Sequence, residues 1–187
     1  MLPGITSSSQ ENYVTHFVDE AIKTGCSAVV MNYRGISIDL ATPRTYCATN
    51  YDDLDMVVQH IHNKYSDRKI IAVGISMGGI KLGGYLAKQF DDCLISNAMI
   101  VSAPMNGMLT INELEKLHNF FTLNILLARC LKEYFSRHKH WFKDDKRFDC
   151  SAIARSLSIR DFDSQFITKV LVLYIINEIT FKFILIF

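Results

Sequence analysis

The sequence predicts an α/β fold: a mostly parallel sheet with flanking helices, followed by a helical insertion. Three observations carry this reading. In the first hundred residues, short apolar runs rich in Val and Ile alternate with longer segments of helical periodicity. The order helix, strand, helix, strand, helix, strand calls for parallel strands joined by right-handed crossovers. After Pro104 the pattern turns helical with no further convincing strand, as expected of an insertion placed over one end of a sheet.

The elements follow from local signals. Glu11 to Thr24 has apolar residues at Val14, Phe17, Val18, Ala21 and Ile22, a helical spacing that Gly25 stops. Ser27 to Tyr33 is an almost continuous apolar run that suits a strand buried on both faces. Tyr51 to Tyr65 returns to helical period through Leu54, Val57, Val58 and Ile61, with Asn50 as its cap and Asp52 and Asp53 in the first turn. Lys69 to Gly74 is a second buried strand, Met77 to Phe90 a helix, and Ala98 to Ser102 a third strand. A long helical pattern then runs from Asn112 to Lys139, and a short helix covers Ser151 to Leu157. Ile159 to Phe166 gives no clear signal.

Composition excludes several classes. Hydrophobic content of 49% and charged content of 21% belong to a globular chain, and a net charge of +1 argues against nucleic acid as a partner. Basic residues between Arg137 and Arg147 are interrupted by Asp144 and Asp145, which fits a solvated helix face. Five widely spaced cysteines without a CxxC pair fit reduced, mostly buried thiols better than disulfides or zinc. Metal ions and cofactors have no supporting motif. The N-terminus lacks the charged and apolar regions of a signal peptide. Val170 to Phe187 approaches the length of a membrane span, but Glu178 and Lys182 interrupt it, so a buried strand or an apolar ending is the preferred reading.

The chemistry-bearing motif is Gly74-Ile75-Ser76-Met77-Gly78, followed by Gly79. A strand, Ile70 to Val73, leads straight into it, and a helix leaves it. On so sharp a turn, side chains at Gly74 and Gly78 would collide with adjoining backbone. The turn holds the Ser76 hydroxyl at the carboxyl end of the sheet, beside a helix N-terminus that favours developing negative charge. The Met77 N–H is then one oxyanion-hole donor. The loop Leu2-Pro3-Gly4-Ile5-Thr6 lies where a second donor is needed, and by position that donor is Ile5. The plain alternatives are a glycine-rich turn with an inert serine and an ordinary Pro-Gly turn.

These stretches carry a likeness. Together with Val29-Val30-Met31-Asn32-Tyr33-Arg34-Gly35, Thr42-Pro43-Arg44-Thr45-Tyr46-Cys47, Asp53-Leu54 and Ile159-Arg160-Asp161-Phe162-Asp163, they resemble the abhydrolase-domain lipase and phospholipase group, relatives of the YheT-type hydrolases in the AB hydrolase superfamily. The likeness runs from about Leu2 to Lys169. It implies a partial α/β-hydrolase domain over residues 1–169, a cap region at about 105–165, and a divergent apolar tail at 170–187. The family's N-terminal anchor, first strands, and the strands bearing its catalytic Asp and His have no counterpart, which implies a chain truncated at both ends.

What the resemblance implies is ester hydrolysis on lipid substrates such as phospholipids, acylglycerols or medium-chain esters, with Ser76 as nucleophile and no cofactor. Without the Asp and His, the form at hand is expected to be inactive or impaired. No histidine follows His140, and His118, His138 and His140 are read as cap-surface residues. The alternative is a non-catalytic fragment that binds lipid or a protein partner, or self-associates, through an exposed sheet edge. Family likeness places the protein at a membrane surface; lack of an anchor would place it in the cytoplasm.

Overall fold

A computed structural model describes residues 1–171, so the tail expectation falls almost wholly on residues outside the described ones. The chain forms two compact units: residues 1–38 with 46–107, and residues 39–45 with the chain from 108 onward.

The first unit is α/β. Helix α1 (Asn12–Lys23) ends at Gly25, whose φ of 82° lets the Gly25 and Cys26 N–H groups turn back onto Ile22 and Ala21 carbonyls. Helix α2 (Asp52–Lys64) starts one residue later than its sequence signal, and the Asn50 side chain accepts from the Asp52 N–H at 3.1 Å. Strand β1 (Ile70–Ile75) leads into α3 (Met77–Gln89), and β2 (Ile95–Val101) runs parallel to β1 with Ala72 opposite Ala98 and Ile75 opposite Val101. The β2 strand begins three residues before the apolar run that predicted it.

One expected strand is absent. Ser27 to Tyr33 forms no ladder strand. Apart from the turn in which Tyr33 accepts from Ile36 at 3.1 Å, its backbone pairs among the described residues with Met1 alone, which donates to the Val29 carbonyl at 2.7 Å and accepts from Met31 at 3.0 Å. Two hydrogen bonds to a two-residue neighbour are too few to make a ladder. Only alternate residues, Met31 and Tyr33, are buried there, against the expectation of burial on both faces.

Polar clasps fix the helices of this unit. Tyr85 and Gln89 of α3 both donate to the Asp55 carboxylate of α2 at 2.9 Å. Arg34 grips Asp53 through two nitrogens, a fork geometry that makes the pair stronger than a single contact. Lys81, 2% exposed on α3, donates to the Cys47 carbonyl at 2.6 Å and to that of Asn50. Burial lowers its pKa, and those carbonyls are its compensation.

The second unit is helical: α4 (Gly107–Leu114), the short α5 (Leu117–Asn119), α6 (Ile125–His138), α7 (Cys150–Arg155) and α8 (Ile159–Phe162). The single helix predicted from Asn112 to Lys139 is therefore broken, because Lys116 takes an extended conformation and Phe120–Asn124 forms a π-helical turn. Phe135, Phe142, Phe148, Phe162 and Phe166 pack edge-to-face or tilted at 4.9–6.2 Å between ring centroids. Asp149 caps α7, the short helix expected from Ser151 to Leu157, and Ser158 caps α8, which gives order to the stretch from Ile159 where periodicity alone gave no signal. His138 belongs to this core: fully buried and edge-on to Tyr134 at 4.8 Å, it corrects the surface reading, whereas His118 and His140 are exposed. All five cysteines are free thiols, and Cys26 is exposed where burial was expected.

Candidate active site

Ser76 occupies the single residue between β1 and α3, with φ 53° and ψ −119°. A non-glycine residue there stores on the order of 1–3 kcal/mol of strain and persists only where its surroundings over-determine it. They do so here. The Ser76 N–H donates to the Val101 carbonyl at 2.9 Å, and its own carbonyl accepts from Gly79 at 2.9 Å and Ile80 at 3.1 Å.

A serine at a helix N-cap ordinarily spends its oxygen on the helix's first N–H groups. Ser76 makes no such cap bond, so its hydroxyl stays available at the helix end. Among the described residues no side chain hydrogen-bonds to it, and the residue is half-buried. The Met77 N–H, at the first position of α3, precedes the helix's own hydrogen-bond ladder and lies next to that hydroxyl in the chain.

The glycines around the turn are sterically required. A methyl group on Gly74 would sit 2.5 Å from the Gly78 carbonyl oxygen, and one on Gly79 would sit 2.6 Å from the Ala103 Cβ. A methyl group on Gly78 would meet the Leu2 oxygen at 2.2 Å and the Pro3 oxygen at 2.5 Å. Gly78 is thus the point where the N-terminal loop rests on the helix start. Leu2 is fastened there by donating to Val73 at 2.7 Å and accepting from Ile75 at 3.1 Å.

The same loop reaches Ser76: the direction of a Gly4 side chain comes within 3.7 Å of the Ser76 Cβ. Three tyrosines hold it in shape. Tyr13 accepts from the Gly4 N–H at 2.9 Å, Tyr33 donates to the Pro3 carbonyl at 2.8 Å, and Tyr46 accepts from the Thr6 N–H at 3.2 Å. Tyr33 and Tyr46 stack at 5.2 Å, and burial raises the Tyr33 pKa, so its phenol stays a donor. Thr6 carries a second strained angle, φ 56°. Ile5 lies between Gly4 and Thr6 and is half-buried.

Ser76, Met77, Gly74, Gly78, Gly79 and the Pro3–Thr6 loop are thus brought together. Tyr13, Tyr33 and Tyr46 complete the arrangement, and sequence reasoning gave them no role. Tyr33 and Tyr46 stood inside the recognised motifs, but only contact over 30 and 40 residues reveals what their hydroxyls do.

A strand–serine–helix turn in a parallel sheet with flanking helices defines a class, the α/β hydrolases, and the comparisons agree. The chain belongs to the AB hydrolase superfamily, in its abhydrolase-domain lipase and phospholipase group. It is 36% identical to the phospholipase ABHD3 of Homo sapiens over 167 residues, covering 89% of this chain and 40% of that protein. The embryogenesis-associated protein EMB8 of Picea glauca is 33% identical over 166 residues, 87% of this chain and 36% of that protein. The human monoacylglycerol lipase ABHD2 is 27% identical over 144 residues, covering 73% and 33% respectively. The chain therefore spans about two fifths of the length of the first of these relatives. No protein-family profile matches it, and no solved structure does.

Proposed function

We propose that the chain carries the nucleophile-bearing part of a serine hydrolase of carboxylic esters, acting on lipid esters. The observation that carries the reading is the strained, uncapped Ser76 at the start of α3. In this scheme the Ser76 Oγ attacks the ester carbonyl carbon, and the carbonyl oxygen becomes an oxyanion. The N–H groups of Met77 and Ile5 donate to that oxyanion, while the dipole of α3 favours its charge. The alkoxy group then leaves with a proton, and water hydrolyses the acyl-enzyme. Lipid esters are favoured as substrates because relatives at 36% and 27% identity are named phospholipase and monoacylglycerol lipase.

Ser76 lacks a hydrogen-bonded base among the described residues. Catalysis without a base falls to the residue left by binding and oxyanion stabilisation, about 10³–10⁴-fold over water. This chain alone is therefore proposed to acylate slowly and turn over poorly, with the substrate met at a lipid surface. A fluorophosphonate probe tests the nucleophile directly. Slow labelling that disappears in Ser76→Ala supports the reading; no labelling of folded wild type, or equal labelling of the variant, removes it. Cosedimentation with phosphatidylcholine vesicles tests the membrane association.

One observation favours a second reading, self-association. Residues 96–101 of β2 are exposed, including Met99 at 55%, and the strand Ile95–Val101 carries no charge to discourage pairing with a second copy. Sedimentation velocity decides: a dimer abolished by Met99→Lys supports it, and a concentration-independent monomer opposes it.

A further inference from the structure

Ser76 and Lys81 belong to one rigid element. Lys81 lies in the second turn of α3, roughly 7 Å along the axis from Ser76 at about 1.5 Å per residue. It is 2% exposed, and its ammonium donates to the Cys47 carbonyl at 2.6 Å and to the Asn50 carbonyl. Both acceptors stand in residues 46–51, which form neither helix nor strand. A segment with no ladder to hold it takes its position from side chains, and a charged donor makes hydrogen bonds roughly twice as strong as a neutral one. Tyr51 seats the same segment on α3. A methyl group on Gly84, one turn beyond Lys81, would run into the Tyr51 ring and hydroxyl.

The other end of the segment reaches the loop that faces Ser76. Tyr46 directly precedes Cys47, and its hydroxyl accepts from the Thr6 N–H at 3.2 Å. Thr6, with its φ of 56°, directly follows Ile5. A path therefore runs from the helix of Ser76 through Lys81, the Cys47 carbonyl and Tyr46 to Thr6. The packing of the loop on Gly78 engages Leu2 and Pro3, before the turn. The path through Lys81 engages Thr6, after it. Ile5 lies between the two points, both referred to α3.

We infer that, with Ser76 as nucleophile and Ile5 as oxyanion donor as proposed above, Lys81 is a positioning residue: through Cys47 and Tyr46 it sets where the Ile5 N–H stands relative to Ser76. Such a donor works only within about 2.7–3.1 Å of the oxyanion, so a loop that drifts from the nucleophile's helix loses the interaction. Lys81 counters that drift by tying the loop's support to the helix itself. Lys81 and Tyr46 then act in series, and cutting either link has the same consequence.

The test is a double-mutant cycle of Lys81→Met and Tyr46→Phe in the full chain, read by fluorophosphonate labelling and by amide exchange at Thr6. Methionine keeps a buried apolar stem and removes every N–H. Labelling over a range of probe concentrations separates the maximal rate from the half-saturating concentration. Lys81→Met is expected to lower the maximal rate about fivefold, the worth of roughly one hydrogen bond, with half-saturation unchanged, and to speed Thr6 exchange by a similar factor. In the Tyr46→Phe background it is expected to change either reading by less than about twofold, since the path is already cut. Where Lys81→Met does not fold, Lys81→Gln, an uncharged side chain that keeps N–H donors, takes its place in the cycle with a smaller loss. A loss confined to half-saturation, effects that multiply in the double variant, or unchanged Thr6 exchange in the Lys81 variant would each overturn the inference. Wild type that labels no faster than Ser76→Ala would remove the nucleophile instead, and the two failures are told apart because Thr6 exchange is read without the probe.

Discussion

Replacing Gly78 by alanine and Gly83 by alanine adds the same methyl group to the same helix, yet the surroundings assign the two changes opposite signs. At Gly78 the methyl would sit 2.2 Å from the Leu2 oxygen, 2.5 Å from the Pro3 oxygen and 2.7 Å from the Leu2 carbonyl carbon. All three are backbone atoms, and Leu2 is tied to Val73 and Ile75, so relief requires the loop to move by about 1 Å as a body. Overpacking of this kind destabilises by about 1–3 kcal/mol, and a Gly→Ala helix gain of at most about 1 kcal/mol offsets part of it. At Gly83 the methyl meets only the Met105 Cε at 3.1 Å and the Ile100 Cδ1 at 3.3 Å, the free ends of flexible side chains. There the helix gain dominates, and the change is neutral to stabilising by up to about 1 kcal/mol. Thermal unfolding checks both: Gly78→Ala is expected to lower Tm by about 2–8 °C, and Gly83→Ala to leave it or raise it. The same loop movement would slow fluorophosphonate labelling by as much as about 10²-fold in Gly78→Ala alone. A Gly78→Ala protein as stable and as reactive as wild type would refute the contact of loop and helix start on which the site description rests.

Three further perturbations probe other contacts. Tyr46→Phe keeps the stack on Tyr33 but removes the acceptor for the Thr6 N–H, so stability should fall by about 1 kcal/mol while probe labelling slows several-fold; equal labelling would remove the tyrosine from the site. Asp53→Asn breaks the forked pair with Arg34, which is partly solvent-screened at 34% and 20% exposure, and should lower stability by about 1 kcal/mol in urea titration, less at high salt. Burial raises the Asp163 carboxyl to about 6. Its folded-state pKa exceeds its unfolded one, so its contribution is fully present below about pH 4 and is lost as pH rises through about 6, on the order of 2–3 kcal/mol. Asp163→Asn should therefore match wild type at pH 4 and exceed it at pH 7; equal differences at both values would show that the carboxyl is not held neutral.

Legibility tracked the range of the forces involved. The helices α1, α2 and α3 were readable because apolar spacing, caps and Gly25 act within a few residues. The turn at Ser76 was readable because its constraint, small residues on both sides of a serine after an apolar strand, is also local. The Ser27–Tyr33 strand was misread because an apolar run specifies strand character but not a partner, and here the neighbouring strand offers it, among the described residues, Met1 alone. His138 was misread because helical spacing places a residue on a face without saying what packs on it; the π-helical turn at Phe120–Asn124 precedes a helix whose buried side runs through Leu131, Tyr134 and Phe135 to His138.

The loop facing Ser76 unites both ranges. Its sequence, Pro3-Gly4-Ile5-Thr6, predicts only a turn. Its conformation is decided by hydroxyls from Tyr13, Tyr33 and Tyr46, contributed by α1 and by two separate loops. A left-handed angle at Thr6 and one at Ser76 each store strain that local propensity would release. Holding both residues in such conformations requires contacts made only after the chain has folded. If the tyrosines are what hold the loop, then the triple Tyr→Phe variant should free Ile5 and Thr6 for rapid amide exchange while Leu2, fastened by β1, stays protected. Loss of protection at Leu2 as well would show that the whole N-terminal segment depends on them, and that the loop has no independent anchor on the sheet.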